Sequence, residues 1–312
     1  MSARILITGG AGNVGGSLAR RLVADPDNYV VIVDSLLTGS RNKLPDPACK
    51  NWRFIRANVN DRHDIAPVIT SGNFDFIFHY AAVVGVQRTL QNPKMVLDDI
   101  DGVRNVLDLA KSTGVRRVFF SSSSEVYGEP VEIPQIEATT PLNSRLPYAI
   151  VKNVAEAFCR SYQQEYGLDY TVFRFFNTYG PLQSEDFVIS KFIGQALRNA
   201  DITIYGDGSQ TRTFCYIDDN LAATTAAMEH GFCVNDVMNV GSDLEMSVLS
   251  LAGRIIDLLG SRSKIVHLPP LKDGDMTRRK PDISKMRAIL KRDLLSLDEG
   301  VLKTAEYIRK MQ

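Results

Sequence analysis

Cysteine and histidine are scarce in this chain of 312 residues, with four of each. Cys49, Cys159, Cys215 and Cys233 are scattered and form no CxxC pair, which argues for free thiols rather than a disulfide framework. His63, His79, His230 and His267 lack the close spacing of metal ligands, so no metal is expected. Net charge is missing as well. Thirty-six basic residues balance thirty-six acidic ones, so composition implies no polyanion-binding surface and nucleic acid is not expected as a partner. A local basic cluster can still grip a diphosphate. No run of about 20 apolar residues occurs, so no membrane-spanning helix is expected. The chain enters a strand-like run at Arg4-Ile5-Leu6-Ile7 without a charged-then-apolar leader before it. A cytoplasmic protein is the expectation.

Short apolar runs alternate with longer helix-like segments over roughly the first 175 residues. The strand candidates are Arg4–Thr8, Tyr29–Asp34, Trp52–Arg56, Phe74–His79, Val115–Ser121 and Tyr170–Phe175. Amphipathic stretches such as Gly16–Val23 and Val96–Ser112 lie between them. Alternating α and β with fully apolar strands predicts an α/β fold with a doubly wound parallel sheet. After Asn177-Thr178-Tyr179-Gly180-Pro181 the pattern loosens, with turn signals at Gly206-Asp207-Gly208 and Pro269-Pro270. The expected division is a nucleotide-binding domain over 1–177 and a smaller α/β substrate domain over 178–312. A segment near 214–240 is expected to return to the main sheet.

Thr8-Gly9-Gly10-Ala11-Gly12-Asn13-Val14-Gly15 follows the first strand candidate and opens the first helix candidate. Gly9, Gly12 and Gly15 permit a tight turn and a close approach of a pyrophosphate to free backbone N–H groups at a helix N-terminus. Glycines alone are weak evidence; the strand before and the helix after give them weight. The second strand candidate ends at Asp34, nineteen positions beyond Gly15. A carboxylate there can accept from both ribose hydroxyls of an adenosine and repels a 2′-phosphate, which favours NAD over NADP.

Tyr148 and Lys152 stand at i and i+4 in Pro147-Tyr148-Ala149-Ile150-Val151-Lys152, on one face of a predicted helix. An ammonium near a phenol favours the phenolate and is expected to lower its pKa from about 10. Such a tyrosine can take a proton from an alcohol while hydride leaves for a nicotinamide. Upstream, Val118-Phe119-Phe120 runs into Ser121-Ser122-Ser123-Ser124-Glu125-Val126-Tyr127-Gly128. That places hydroxyls and a carboxylate at the C-terminal end of a strand, where doubly wound sheets hold ligands.

These motifs, in this order, resemble the extended short-chain dehydrogenases that modify nucleotide-sugars, and the resemblance covers essentially the whole chain. It implies a Rossmann fold, NAD as cofactor, a nucleotide-diphosphate sugar as substrate and a homodimer built on the helices holding Tyr148–Tyr162 and Val96–Ser112. It assigns Gly9, Gly12, Asn13, Val14 and Gly15 to the cofactor loop, with Asn13 in place of the usual aromatic. Asp34 falls in the ribose-binding stretch, Asn58 and Val59 near adenine (Asn58 replacing the usual aspartate), and Ala81 and Ala82 along the cofactor. Ser123, Tyr148 and Lys152 match the catalytic triad, and Tyr148 and Lys152 also touch the cofactor. Val84, Arg88, Ser124 and Asn177 are expected at the substrate, while Arg212 and Arg279 look like two arginine contacts to its diphosphate.

Members of this family oxidise a sugar carbon, usually C4, and then diverge. Glu125 is the informative residue. It resembles the pattern of decarboxylases and some 4,6-dehydratases, and so points to lyase chemistry with Glu125 as acid or base. The loop Ala82-Val83-Val84-Gly85-Val86-Gln87-Arg88-Thr89 resembles the epimerase sugar loop instead, so 4-epimerisation stays open. A non-catalytic NAD-binding protein is the third alternative, disfavoured by the complete triad.

Overall fold

The computed structural model describes residues 2–270 and 278–311. Seven parallel strands form its central sheet. In chain order the first six are β1 (Arg4–Thr8), β2 (Tyr29–Asp34), β3 (Trp52–Arg56), β4 (Phe76–His79), β5 (Arg117–Ser123) and β6 (Asp169–Phe175). The seventh, Asp236–Val240, pairs with β6, and the spatial order is Asp236–Val240, β6, β5, β4, β1, β2, β3. Parallel neighbours need crossovers, which here are helices on both faces. α1 (Asn13–Val23) joins β1 to β2, and α2 (Arg62–Gly72) leads into β4. α3 (Val86–Gln91), α4 (Pro93–Leu97) and α5 (Asp99–Ala110) precede β5, and α6 (Pro147–Tyr166) precedes β6.

Alternation along each strand divides the core in two. Ile5, Ile7, Val30 and Ile32 point into one apolar cluster with α1 and with the later helices α7 (Val188–Leu197) and α8 (Ile217–Glu229). Leu6, Val31 and Val33 point into the other, filled by α2, α5 and α6. Aromatic rings cross the sheet centre: Phe119 stacks on Phe78 at 4.4 Å and on Phe173 at 5.9 Å.

Several element boundaries differ from the sequence reading. The fifth strand runs to Ser123 rather than stopping at Ser121, because its pairing with β6 continues through Ser122–Arg174 and Ser123–Phe175. The stretch 96–112 is two helices, broken at Asp98, rather than one. The fourth strand begins at Phe76, two residues later than expected, since Asn73 caps α2 in a left-handed conformation. Elsewhere, short strands pair in twos beyond Phe175, Ile202–Tyr205 lying parallel to Ile265–Leu268. Among the described residues no helix is long and apolar enough to cross a membrane.

All seven C-terminal strand ends face one edge, and the loops there shape a cavity of about 950 Å³. Phe119, in the stacked aromatic column of the sheet, is fully buried. Phe119→Ala should destabilise the fold by about 3–5 kcal/mol, measured by urea unfolding, because a ring-sized hole in the stacked column cannot close. A loss below about 1 kcal/mol would mean that the sheet centre repacks.

Candidate active site

The glycine loop forms one wall of the cavity. Gly9 has φ +69°, and a Cβ there would lie 2.6 Å from the Ala81 nitrogen; at Gly15 it would lie 2.4 Å from the Gly9 carbonyl oxygen. The backbone therefore turns tightly and stays bare. Gly12 caps α1 with no side-chain hydrogen bond, and no acidic residue occupies the first turn, which leaves the helix N-terminus free to receive an anion. The buried Oδ1 of Asn13 has no partner among the described residues and borders the same cavity.

Asp34 ends β2 at the cavity edge. Its two oxygens accept from the Ala11 amide at 3.0 Å and the Leu36 amide at 2.8 Å, which fixes the carboxylate while leaving each oxygen a further lone pair. Asn58 and Val59 follow β3 on the same side, and Ala81 and Ala82 follow β4. Asn58 is spoken for locally: its Oδ1 accepts from the Asn60 amide at 3.1 Å. These residues fit a dinucleotide: bare amides for a pyrophosphate, a carboxylate for a ribose, and volume for both nucleosides.

The opposite wall carries the reactive groups. Ser123 ends β5 and caps the short 3₁₀ turn Ser124–Tyr127, accepting from the Glu125 amide at 3.2 Å. Tyr148 lies in the first turn of α6, its phenol near enough to Ser123 for that hydroxyl to favour the phenolate. Lys152, one turn on, donates to the Ser121 carbonyl at 2.7 Å, and its Nζ stands 5.7 Å from the Tyr148 ring centroid. Glu125 pairs with Arg279, Oε1 to Nη1 at 2.8 Å, both side chains being largely buried. The second carboxylate oxygen of Glu125 and Nε of Arg279 are buried without a partner among the described residues.

The expected lowering of the Tyr148 pKa by Lys152 is not what the geometry produces. Burial pushes the phenol above its ordinary range, and the negative charge of Glu125 adds to this, while the nearby Ser123 hydroxyl and the charge of Arg279 oppose it. Lys152 itself is pulled down to about 8 by burial, with Asp99 resisting. A lysine whose own charge is penalised is a weak lever on a phenol. His79, the last residue of β4, is no alternative base that titrates near neutrality. Burial holds it neutral with a pKa of about 3, its Nδ1 against Thr8 Oγ1 at 2.8 Å.

Of the side chains selected from sequence, all but one border this cavity. Val84 and Arg88 line its rim; Arg88 bonds the Val84 carbonyl at 2.7 Å and reaches Asp186 at 3.7 Å across the mouth. In the same loop, the side chains of Val86 and Gln87 lie outside the described residues. Ser124 and Asn177 line the cavity too, the Asn177 amide donating to the Thr213 carbonyl at 2.9 Å. Arg212 is buried on the strand Thr211–Thr213, off the cavity wall, and bonds the Thr211 carbonyl. Arg279 directs its guanidinium to Glu125, on a segment whose preceding residue, Arg278, pairs with Thr211.

Sequence reasoning passed over several charged residues of the wall, Asp99 and Lys43 among them. Asp99, at the start of α5, accepts from the Val83 amide at 2.7 Å, and burial raises its pKa. Lys43 faces the fields of Asp34 and Asp186, and its pKa is lowered by burial. Neither carried a signal: Asp99 follows another aspartate, and only the break at Asp98 decides which one turns inward.

The fold and this cavity define a Rossmann enzyme of the short-chain dehydrogenase type. The NAD dependent epimerase/dehydratase family model matches residues 5–241, and the chain belongs to that family of NAD-dependent enzymes. It is 35% identical to the UDP-N-acetyl-alpha-D-glucosaminuronate decarboxylase of Bacillus cytotoxicus, over 100% of this chain and 99% of that one. Among solved structures it resembles the UDP-glucose 4-epimerase of Thermotoga maritima with UDP-glucose (30% identity, TM-score 0.92, 99% of each chain covered). It also resembles the dTDP-glucose 4,6-dehydratase DesIV of Streptomyces venezuelae with NAD bound (29% identity, TM-score 0.90, 98% of this chain and 97% of that one).

Two outcomes follow from the site. Asp34→Ala should weaken NAD binding and narrow its advantage over NADP, measured by calorimetry; equal affinities in the unaltered enzyme would refute the ribose role of Asp34. Glu125→Gln removes a negative charge that disfavours the phenolate, so the Tyr148 pKa should fall. The acidic limb of single-turnover cofactor reduction should then move to lower pH; a move to higher pH would contradict this electrostatic arrangement.

Proposed function

We propose that the enzyme is a lyase acting on a nucleotide-diphosphate sugar by way of a 4-keto intermediate, and that its net reaction is decarboxylation of a sugar carrying a C6 carboxylate. The observation that carries this reading is the Glu125–Arg279 pair beside Tyr148. A simple 4-epimerase needs one proton acceptor at the C4 hydroxyl and neutral groups around the ring. Here a second acid–base group and a guanidinium stand next to the first. The similarity to a UDP-N-acetyl-alpha-D-glucosaminuronate decarboxylase supports the same reading.

Bound NAD supplies a hydride acceptor and, when oxidised, a positive ring that favours the phenolate of Tyr148. Tyr148 takes the C4 hydroxyl proton, assisted by the hydroxyl of Ser123. The ketone then lies β to the carboxylate, so the C5–C6 bond can break with its electrons flowing toward the C4 oxygen, releasing carbon dioxide. Arg279 attracts the carboxylate before it leaves, and Glu125 handles the proton that C5 requires afterwards. Return of hydride to C4 and of the Tyr148 proton to its oxygen closes the cycle with no net oxidation.

The same reading gives residues 1–177 to the cofactor and 178–312 to the nucleotide-sugar. A homodimer would use the face on which Leu97 and Ile150 lie exposed. A second reading, 4-epimerisation, is favoured by the likeness to the Thermotoga epimerase. A panel of nucleotide-sugars followed by mass spectrometry separates the outcomes: loss of carbon dioxide supports the proposal, loss of water makes the enzyme a dehydratase, and unchanged mass with an altered sugar makes it an epimerase. Glu125→Gln should build up bound reduced cofactor and a keto-sugar. Unimpaired turnover by this variant would overturn the lyase assignment, whereas Tyr148→Phe should lose at least about 10²-fold under any of the three.

A further inference from the structure

A chain of buried polar contacts runs beneath the active site and ends at the segment that carries Arg279. It begins at Glu156, on α6 one turn beyond Lys152 and fully buried. Ser122, next to Ser123, donates to Glu156 Oε1 at 2.6 Å. Arg174 of β6 grips the same carboxylate with two nitrogens, at 3.0 and 2.7 Å. Its remaining terminal nitrogen donates to the Tyr127 hydroxyl at 2.8 Å, and that hydroxyl donates to Asn239 Oδ1 at 2.8 Å. Tyr127 lies two residues beyond Glu125 in the same 3₁₀ turn.

Asn239 is the junction. It lies fully buried in the strand Asp236–Val240, flanked by Met238 and Val240, a position where asparagine is a poor strand former. Its amide nitrogen donates to the Gln135 carbonyl at 2.9 Å and to the Asp282 carbonyl at 3.2 Å. Its backbone amide donates to Glu137 at 2.8 Å. The side chain thus uses both donors and its acceptor, which only a carboxamide in one orientation can do. Gln135 in turn pairs with the segment following Arg279: its amide donates to the Lys280 carbonyl at 2.7 Å, and its carbonyl accepts from the Asp282 amide at 2.9 Å. On the outer side, Arg278 is held by Glu245.

We propose that Asn239 is a positioning residue, which, through Gln135 and Asp282, sets where the guanidinium of Arg279 stands against Glu125. Its role rests on the reading of Glu125 and Arg279 as the pair that handles the second step. Tyr127 is the relay: it orients the carboxamide and connects it to the helix bearing Tyr148 and Lys152. The network thereby holds in one register four groups contributed by β5, the 3₁₀ turn, α6 and the segment after residue 277. None of its members touches the cavity except Ser122.

The test is a double-mutant cycle together with crystallography. Asn239→Asp replaces two donors with acceptors that face two carbonyls, and Tyr127→Phe removes one hydroxyl while keeping the ring. Each should lower kcat, the first by about 10- to 10²-fold, as a displacement near 1 Å does, with the affinity for NAD unchanged. In an Arg279→Gln background the same changes should cost little more, because they act through the group already lost. Crystal structures of the single variants should show the Arg279–Glu125 contact lengthened beyond hydrogen-bonding distance. Unchanged kcat, effects that multiply with that of Arg279→Gln, or an intact 2.8 Å contact in both variants would overturn the proposal. If Asn239→Asp does not fold, Tyr127→Phe carries the cycle alone. Failure of every nucleotide-sugar to react with the unaltered enzyme would instead defeat the functional reading, and the crystallographic distance would still decide this one.

Discussion

Arg174 and Glu156 form an ion pair from which water is almost wholly excluded, with side chains 4% and 0% exposed. Two charges removed from water are costly, and only a bidentate geometry with further hydrogen bonds offsets that cost. Both conditions hold here: Ser122 adds a bond to the carboxylate and Tyr127 one to the guanidinium. Such a pair tolerates little displacement, since moving either partner leaves a buried charge uncompensated. It therefore fixes α6 against β5 and β6, and with α6 the positions of Tyr148 and Lys152 over the strand end that carries Ser123.

Above that rigid floor, burial governs the chemistry. The cavity wall desolvates Tyr148, Lys152 and Asp99 together, and each is pushed toward its neutral form. The phenol rises and the ammonium falls, so proton transfer between sugar and protein depends on what else enters the cavity. Positive charge from an oxidised nicotinamide favours the phenolate; the carboxylate of Glu125 opposes it, and the guanidinium of Arg279 moderates that opposition. The same low dielectric that penalises each isolated charge strengthens every pairing among them.

The cofactor side follows a different logic, in which the backbone does the work. Bare amides at the α1 N-terminus and a carboxylate immobilised by two amides need no side-chain network, only the close approach of β1, β4 and the glycine loop. Gly9 and Gly15 have no room for a Cβ, so this wall admits little variation.

Much of this was readable from residues alone. Apolar runs with helical segments between them specify a parallel sheet, because both faces of each strand must be covered. A glycine-rich turn between strand and helix, with Asp34 at the end of the next strand, specifies a dinucleotide site by local geometry. Tyr148 and Lys152 share a helix face at any tertiary arrangement. Three things depended on the folded chain. Arg279 lies far from Glu125 in sequence, and tertiary pairing of its segment, with Gln135 through Lys280 and Asp282 and with Glu245 through Arg278, brings them together. Asp99 turns inward because the helix breaks one residue before it. The phenol's pKa runs opposite to the expectation from its lysine neighbour, since desolvation is a property of everything packed around a group and not of the spacing between Tyr148 and Lys152.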